Sequence, residues 1–453
     1  YTDTLTAACG LADPNAVWGM TQAASELVRS LHHLGVQFNV TDDDELDLRN
    51  FGGQKKKRTA FAQSDTGKQL MTALIDAVRR EESAGTVERF PHHKFRTLLL
   101  SGNICGGCTV QDTYTGELLR FVCDAVLIAT GGLHGLFGDT TGSLANTGEV
   151  TAELFRLGVP MANLEMIQYH PTTVELGEKR MLLSEAARGE GGRLFALRNG
   201  KPWYFMEEKY PELGNLMPRD ITAREVWTVS RDYEVFLDMT ELPKEVMEHK
   251  LAGLVDDCQT YLHKDIRKEP IPILPGIHYF MGGIQVDERH RTSMRNLYAA
   301  GECCAQYHGA NRLGGNSLLG AIYGGQIAAE TACRETVSSP NMPCAEESLL
   351  PELSPDAQMQ MNRILLNALG VVRDAQTLEA GIQEIRKLSG TLPLLGCAML
   401  ESALARKESR GAHWRADYPQ RNDAVYCKTT VAHWNGQHIA ISFESIPERR
   451  HDL

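Results

Sequence analysis

The stretch Tyr307–Gly320 reads YHGANRLGGNSLLG and places glycines, polar side chains and one arginine immediately before a predicted helix. That helix carries Gly320 and Gly324 one turn apart, and such small residues allow another backbone or a flat ring to approach closely. Asn316 and Ser317 are predicted at its N-terminus, where unpaired N–H groups and the helix dipole favour negative charge. The stretch therefore predicts a binding site for a cofactor and an anion. The alternative is a glycine-rich loop that only begins an ordinary helix.

The composition is that of a globular protein, and 453 residues with 42% hydrophobic content are enough for about two to four domains. The formal net charge of −12 argues against nucleic-acid binding and leaves the binding of an anionic substrate to locally clustered arginines and histidines. No apolar run approaches the ~18 to 20 residues that a membrane helix requires, and no signal peptide opens the chain. We therefore expect a cytoplasmic protein.

The cysteines argue for a reducing environment and against a metal site. There are 11 of them, an odd number, and their scattered spacing suggests no disulfide framework. Cys105 and Cys108 form a CGGC segment that would supply half of a metal site, but no second pair or His-x-His partner follows at ligand spacing. We therefore expect no metal ion.

Hydrophobic periodicity predicts an α/β organisation. Apolar residues recur at helical spacing over residues 15–35 and, more clearly, over 65–82, with Asp65 as a candidate N-cap. Three short β-rich runs separated by Gly-Asn and Thr-Gly turns follow and predict an antiparallel meander. The apolar run Asp124–Gly132 then fits a strand that is buried on both faces and ends in a glycine pair, where a ligand can approach the backbone. Asn296–Ala300 is the next such strand.

Between these strands, residues 170–276 mix loops, charged helices and Pro-rich turns, which indicates an inserted domain. A Pro-rich break at Ser338–Pro343 marks the next boundary. Beyond it, amphipathic helices carry a stripe of Leu378, Ile382 and Ile385 that we expect to be core, and the tail alternates enough for two strands. The predicted domains are residues 1–169, 170–276, 277–337, 345–420 and 421–453.

Four short motifs place cationic or hydrogen-bonding side chains in unusual local settings. Each motif alone is weak, because a lone histidine or arginine is more often structural than a ligand. Together with Arg312 they predict a small cationic cage beside a helix N-terminus, which suits a small dianion presented to a redox ring. The motifs are HPT at 170–172, SEAARGEGG at 184–192, PRD at 218–220 and HYFMGG at 278–283.

These motifs resemble the succinate dehydrogenase and fumarate reductase flavoprotein family, of which L-aspartate oxidase is a close relative. The resemblance spans nearly the whole chain in the family's order and includes ATGG at 129–132, GE at 301–302, HGANRLG at 308–314 and SRGAH at 409–413. It implies an FAD-binding, Rossmann-like α/β domain with an inserted α+β capping domain and a C-terminal helical domain. It also implies an iron-sulfur partner subunit and a membrane-anchor subunit, through which the protein would lie on the inner face of the cell membrane.

For the substrate, the resemblance implies two clamps on a dicarboxylate, fumarate or succinate. His170 with Ser184 would hold one carboxylate, and His278 with Arg312 would hold the other. Phe51 would cover the flat carbon skeleton. Clamps at opposite ends of the dianion would fix its central double bond over the flavin at hydride-transfer distance.

For the proton, the resemblance implies that Arg219 delivers it to the neighbouring carbon, relayed through Glu185 and Arg188. Arginine is an awkward acid, because its ordinary pKa above about 12 makes the neutral form scarce. The adjacent carboxylate that re-protonates it is the implied answer. The capping domain would close over the site and exclude water.

For the cofactor, the resemblance implies that Glu302 binds the ribityl chain and that the helix start at 316–318 stabilises the reduced ring. The small-residue helix would face the flavin, and the glycine pair after the first strand would lie near the adenine. The implied cofactor-binding residues are Ala129, Thr130, Gly131, Gly132, Glu149, Glu302, Asn316, Ser317 and Leu318.

Three departures from the family pattern are visible. Ser184 replaces a more usual threonine, and Glu149 stands where the family often has aspartate. The family also opens with a strand and a G-x-G-x-x-G turn, which is absent here, and the chain begins at Tyr1 instead of Met. We expect that about 50 residues, the usual size of a first βαβ unit, are missing, or else that another polypeptide supplies them.

Two alternatives to a fumarate reductase or succinate dehydrogenase stay open. L-aspartate oxidase shares most of the motifs, but the FGGQ segment at 51–54 and SRGAH at 409–413 favour the dehydrogenase branch. A non-catalytic paralogue without FAD would explain the missing fingerprint. The intact Arg219, Arg312 and two motif histidines argue against it.

Overall fold

A computed structural model of the protein describes residues 1–51, 54, 56–63, 65–335 and 352–450. Gly52, Gly53 and the predicted break at Ser338–Pro343 lie outside the described residues, and so does the boundary between the third and fourth predicted domains. The helices are α1 (Thr2–Ala7), α2 (Pro14–His33), α3 (Thr66–Ala84), α4 (Glu149–Arg156), α5 (Ala186–Gly189), α6 (Phe205–Lys209), α7 (Arg219–Ser230), α8 (Ala252–Leu262), α9 (Asn316–Glu335), α10 (Pro355–Ala368), α11 (Ala375–Ile385), α12 (Thr391–Ala405) and α13 (Asp423–Tyr426).

The strands form several small sheets instead of one large one. They are β1 (Leu48–Arg49), β2 (Thr59–Ala60), β3 (His93–Ser101), β4 (Ile104–Asp112), β5 (Leu118–Val122), β6 (Val126–Ile128), β7 (Met161–Ala162), β8 (Ile167–Leu176), β9 (Lys179–Leu182), β10 (Arg193–Arg198), β11 (Lys201–Trp203), β12 (Val235–Asp238), β13 (Ile271–Pro272), β14 (Leu274–Phe280), β15 (Gly283–Gln285), β16 (Leu297–Ala299), β17 (Cys304–Ala305), β18 (Lys428–Trp434) and β19 (Ile439–Ser445).

The base of the molecule contains the parallel pair β6 and β16, the antiparallel meander β3-β4-β5 and a five-stranded sheet in the order β17-β15-β7-β18-β19. The meander confirms the sequence prediction. The prediction that the strand within Asp124–Gly132 is buried on both faces is wrong, because Leu127 is 41% exposed. β6 pairs with β16 alone among the described residues, so the other edge of β6 has no strand beside it there.

The inserted segment forms a capping domain with its own core. Its four-stranded sheet has the order β11-β10-β12-β13, and its apolar cluster draws all its buried members from residues 183–273. The chain enters along β8 and leaves along the antiparallel β14, in which His170 is the register partner of Gly276. Phe51 of the base packs against the cluster of the capping domain. The cap and the base therefore meet around Phe51 and the paired strands.

The C-terminal helices share the core of the base. Leu378, Ile382 and Ile385 of α11 are buried, which confirms the predicted stripe, and they belong to the same apolar cluster as Ile128 of β6. The helical segment is therefore built onto the base without a separate apolar core. None of the helices that the structure describes is long and apolar enough to span a membrane.

The N-terminus of α3 differs from its prediction. Asp65 precedes the helix, but its side chain makes no capping hydrogen bond. Instead, the hydroxyl of Thr66 accepts a hydrogen bond of 3.0 Å from the backbone N–H of Ala62. The side chain that hydrogen-bonds the preceding loop is therefore that of Thr66, the first residue of α3, and not that of Asp65.

The small-residue face of α9 does permit close approach by flat rings, but the rings belong to the protein. A Cβ atom at Gly320 would lie 3.3 Å from the ring of Tyr307, and a Cβ atom at Gly324 would lie 2.7 Å from the ring of His290. Ala328, one turn further along α9, packs against Tyr298 of β16. The prediction that this helix face lies against the flavin is therefore corrected: the protein's own aromatic rings occupy it.

Adjacent glycines of α9 provide a stability test. We expect Gly324→Ala to lower the free energy of unfolding by about 1–3 kcal/mol, since the added methyl overpacks His290. His290 cannot simply move aside, because its ring bonds the carbonyl of Ala299 at 2.7 Å. Gly325→Ala is the matched control and should raise stability by about 0.5–1 kcal/mol, because no described residue lies within 4 Å of its added atom. Thermal unfolding midpoints that shift equally in both variants would contradict this packing.

Candidate active site

A cavity of about 630 Å³ lies between the base and the capping domain. It is large enough for a small substrate together with part of a cofactor. The structure brings most of the predicted site residues to it. Those that line the cavity are Phe51, His170, Ser184, Glu185, Arg219, His278, Arg312, Asn316, Ser317 and Leu318.

An ionic triad forms the polar centre of the site. Nε of Arg219 donates to Oε2 of Glu185 at 3.0 Å, and Nη2 of Arg188 donates to Oε1 at 3.1 Å. All three side chains are buried. Burial alone would raise the pKa of the Glu185 carboxyl, but the positive charges of Arg219 and Arg188 outweigh burial and lower that pKa to about 2. Glu185 is therefore ionised at neutral pH and binds both guanidiniums.

Short helices and one glycine produce this arrangement. Glu185 and Arg188 are three residues apart around α5, so their side chains lie on one face, and Arg219 is the first residue of α7. Gly314 lies opposite, where a Cβ atom would be 2.5 Å from Cβ of Phe51 and 3.0 Å from Oε2 of Glu185. A side chain at position 314 would therefore clash with Phe51 and with the carboxylate of Glu185.

Sequence reasoning missed a second layer of hydrogen bonds behind Arg219. Oε1 of Gln168 accepts from Nη1 of Arg219 at 3.1 Å, and Nε2 of Gln168 donates to Oδ1 of Asn311 at 2.8 Å. Asn311 in turn donates to the carboxylate of Asp220 at 2.9 Å. One signal could have revealed Gln168, because it lies two residues before His170 on strand β8 and such residues share a face.

The two predicted histidines are adjacent and neutral. The rings of His170 and His278 lie 5.2 Å apart in an edge-to-face arrangement. Burial lowers the pKa of His170 well below its usual value, and Arg219 and Arg188 lower it further. Burial, then His170 and Arg219, act in the same direction on the pKa of His278. Both rings can therefore hydrogen-bond a carboxylate without a charge of their own, and Nε2 of His170 is buried with no partner among the described residues.

Arg312 supplies a positive charge at the same wall. Its guanidinium lies 4.4 Å from the centre of the Tyr279 ring, and its Nε is buried without a hydrogen-bond partner in the described part of the chain. Burial and the nearby Arg219 lower the pKa of Arg312 to about 9, so the group still carries its charge at pH 7. An unsatisfied buried cation of this kind is a binding group for an anion.

Backbone contacts on both sides hold the loop that carries this arginine. The N–H of Ala310 donates to the carbonyl of Ala8 at 3.0 Å, and the N–H of Ala412 donates to the carbonyl of Ala310 at 2.9 Å. Gly309 and Gly411 both have positive φ, and a Cβ atom on either would lie 2.6 Å from one of these carbonyl oxygens. The SRGAH motif thus packs against the loop that carries Arg312 and forms a backbone hydrogen bond with it.

The predicted cofactor residues that do not line the cavity lie in three places. Oε1 of Glu302 accepts from the N–H of Phe280 at 2.9 Å, and a Cβ atom at Gly132 would lie 2.6 Å from that oxygen. Ala129 and Thr130 are exposed beyond the end of β6. Glu149 is not brought to the cavity, since its carboxylate pairs with Nζ of Lys94 at 2.9 Å.

Comparisons with known proteins agree with this geometry. The family model described as the FAD binding domain matches residues 1–318, and the fumarate reductase flavoprotein C-terminal model matches residues 389–450. The chain is 36% identical to the succinate dehydrogenase flavoprotein subunit of Bacillus subtilis (strain 168), with 98% of this chain and 85% of that protein covered. The chain belongs to the succinate dehydrogenase and fumarate reductase flavoprotein family.

Other family members show how wide this likeness is. The flavoprotein is 32% identical to the fumarate reductase flavoprotein subunit of Mycobacterium tuberculosis, over 95% of this chain and 84% of that protein. It is 30% identical to the L-aspartate oxidase of Streptomyces coelicolor, over 98% and 83%. A solved structure of E. coli quinol fumarate reductase superposes with a TM-score of 0.87 at 25% identity, covering 98% of this chain and 86% of that one.

FAD is therefore the cofactor of this flavoprotein. The residues present fit such a group. Ala129 and Thr130 are open at the end of a strand, and the N-terminus of α9 lines the cavity. A strand end and a helix N-terminus are features that flavin and its phosphates use.

Proposed function

We propose that this flavoprotein interconverts fumarate and succinate as the flavoprotein subunit of an electron-transfer complex. The observation that carries the proposal is the charge distribution in the cavity. Among the described residues that line it, Glu185 is the single carboxylate, and both its oxygens are bonded to arginines. Arg312 and His170 in contrast have buried nitrogens without partners in the described part of the chain. Such a cavity favours a ligand with two negative ends and no positive one.

The two ends of the dicarboxylate would bind at different walls. His170 and Ser184 hold one carboxylate. Oγ of Ser184 already accepts from the N–H of Ala186 at 3.3 Å, so the hydroxyl proton is available to the substrate. Arg312 and His278 hold the other carboxylate, and Phe51, anchored between Gly314 and the capping domain, covers the carbon skeleton. The cationic cage thus fixes both ends at once.

Reduction of fumarate to succinate adds one hydride and one proton across the double bond. Bound FAD, held near Glu302 and the start of α9, would supply the hydride. Arg219 donates the proton to the adjacent carbon. A proton from solvent is then relayed through Arg188 and Glu185 to the neutral guanidinium, so that the carboxylate passes the proton on and is ionised again at the end. The bond of 3.0 Å between Arg219 and Glu185 is the observation that supports this transfer, and Arg188 balances the charge of the carboxylate. Closure of the cap, which carries Arg219, would exclude water from the reaction.

L-aspartate oxidase is the second candidate, since a relative of that name is 30% identical. Aspartate has an ammonium group in addition to its two carboxylates. In this cavity that group would lie among Arg219, Arg312 and neutral histidines, and it would find Glu185 engaged by two guanidiniums. Like charges at such short range disfavour binding by on the order of several kcal/mol. The electrostatics therefore favour the dicarboxylate without an amino group.

Two relatives are named as flavoprotein subunits, which supports a partner protein that accepts or supplies electrons. We propose that this partner is an iron-sulfur subunit and that a membrane-anchor subunit binds to it. The test of the reaction needs neither partner. Purified FAD-loaded protein should oxidise a reduced artificial dye when fumarate is added and should form no peroxide from L-aspartate in air. Peroxide from aspartate, with no dye oxidation by fumarate, would establish the oxidase instead.

A further inference from the structure

The ring of His278 is held from behind by a hydroxyl group to which the function above assigns no role. Oγ1 of Thr141 lies 2.8 Å from Nδ1 of His278. Within the described ranges Thr141 is the only hydrogen-bond partner of this ring, so Nε2 is available to a ligand in the cavity that His278 lines. The carboxylate that the proposed function places between His278 and Arg312 would bind there.

Backbone contacts on two sides fix the position of this threonine. The N–H of Thr141 donates to the carbonyl of Ile277 at 2.9 Å, and Thr140 forms a parallel bridge with the same residue of β14. On the other side, the N–H of Arg180 donates to the carbonyl of Thr140 at 2.9 Å. The loop that carries Thr141 is therefore joined to β9 and to β14, and β14 is the strand that carries His278.

The hydroxyl of Thr141 has two possible acceptors and a single proton to donate. One acceptor is Nδ1 of His278 at 2.8 Å, and the other is the carbonyl oxygen of Ile277 at 3.3 Å. If the hydroxyl bonds the carbonyl, the ring donates from Nδ1 to Oγ1 and presents a bare lone pair at Nε2. If the hydroxyl bonds the ring, Nε2 carries the proton of the neutral ring. The protein by itself permits both arrangements.

A carboxylate at Nε2 selects between these arrangements. An ionised carboxylate only accepts hydrogen bonds, so it repels a bare lone pair and binds an N–H. The ring has no charge of its own, because burial lowers the pKa of His278 well below its usual value. Nδ1 must then accept, and the hydroxyl of Thr141 is the donor within reach. The carbonyl of Ile277 keeps a donor in either case, since the N–H of Thr141 stays bonded to it.

We propose that Thr141 is a positioning residue for fumarate and succinate: when the dicarboxylate binds, the hydroxyl donates to Nδ1 of His278 and thereby makes Nε2 a donor to the substrate. Thr141 acts through the ring, since it is not among the residues that line the cavity. The proposal rests on the carboxylate contact of His278 in the proposed function. This contact is the same before and during the reaction, so it contributes to binding and little to the rate of the bound complex.

The test compares Thr141→Val with Thr141→Ser by calorimetric titration of the oxidised, FAD-loaded protein, in which fumarate has no source of electrons and binds without reacting. Valine has nearly the shape of threonine but leaves Nδ1 without its donor in the bound state, so the Kd for fumarate should rise by about tenfold or more. Serine keeps the hydroxyl and loses only the methyl that stiffens χ1, so it should retain most of the affinity. Thr72→Val, at an exposed position of α3, is the matched control and should leave Kd unchanged.

Turnover and a second background separate positioning from a structural role. In Thr141→Val, kcat for fumarate reduction by a reduced dye should stay within about twofold of the wild type, while KM rises as Kd does. In a His278→Ala background the other clamp residues still hold the ligand, and adding Thr141→Val should weaken binding no further, because the interaction through the ring is already lost. A structural defect would weaken binding by the same factor in both backgrounds.

Three results would each refute the role of Thr141. They are an unchanged Kd in Thr141→Val, a Kd in Thr141→Ser as weak as that of the valine variant, and equal losses of affinity with and without His278. If the wild type failed to bind fumarate, the proposed function would fall and this inference with it. Wild-type binding that Thr141→Val leaves intact would overturn this inference alone.

Discussion

Arg219→Ala is expected to lower the rate of fumarate reduction by about a thousand-fold while FAD stays bound. General acid catalysis by a positioned side chain contributes about 10²–10⁴ in rate, and alanine provides no proton. Arg219 is also held by two acceptors, Glu185 at 3.0 Å and Gln168 at 3.1 Å, so no other guanidinium can take its place without moving the cap. The measurement is kcat with saturating fumarate and a reduced dye, together with the ratio of flavin to protein.

Arg231→Ala is the matched control, since this exposed arginine follows the last residue of the same helix, α7. Its turnover should equal that of the wild type. Arg219→Lys keeps the positive charge but cannot bond Glu185 and Gln168 together, so it should recover part of the binding of fumarate and little of the rate. Turnover of Arg219→Ala within about tenfold of the wild type would remove Arg219 from the role of proton donor.

Glu185→Gln is expected to lower kcat by about a hundred-fold or more and to leave KM nearly unchanged. The amide keeps the shape of the carboxylate but cannot take up and return a proton, and Glu185 itself holds no part of the substrate in the proposed arrangement. The change also leaves Arg219 and Arg188 without a shared negative charge, so the thermal unfolding midpoint should fall.

Glu190→Gln is the control for this variant, because Glu190 follows on the next turn and pairs with Lys250 at 3.2 Å outside the cavity. The pKa of Glu185 also sets the expected pH dependence. This pKa is lowered to about 2, below its unfolded value, so the stabilisation is present above the unfolded pKa and is lost as pH falls through the folded pKa. Loss of the triad's contribution to stability near neutral pH would therefore contradict the ion pairing.

The sequence analysis identified the chemistry of the site better than its contacts. The predicted binding residues converge on one cavity, to which Arg219 is brought as the first residue of α7 and His170 by strand β8. Gln168 and Thr141 escaped notice, since their partners, Arg219 and His278, lie far away along the chain. A hydrogen bond between distant segments leaves no periodic signal in a sequence.

Burial was the other quantity that local patterns could not determine. The apolar run around Leu127 has the composition of a doubly buried strand, yet its burial depends on which strands flank it. The small residues of α9 correctly predicted close approach, but a glycine does not specify whether a cofactor or His290 fills the space. The stripe on α11 was predictable because a helical period by itself defines its buried face.

The central claim is that this cavity presents a dicarboxylate to the flavin. The most direct measurement is an anaerobic titration of the oxidised, FAD-loaded protein while the visible flavin spectrum is recorded. Succinate should bleach the flavin, and fumarate should restore its colour, with no dye, oxygen or partner present. Bleaching by L-aspartate together with no response to succinate would contradict the claim.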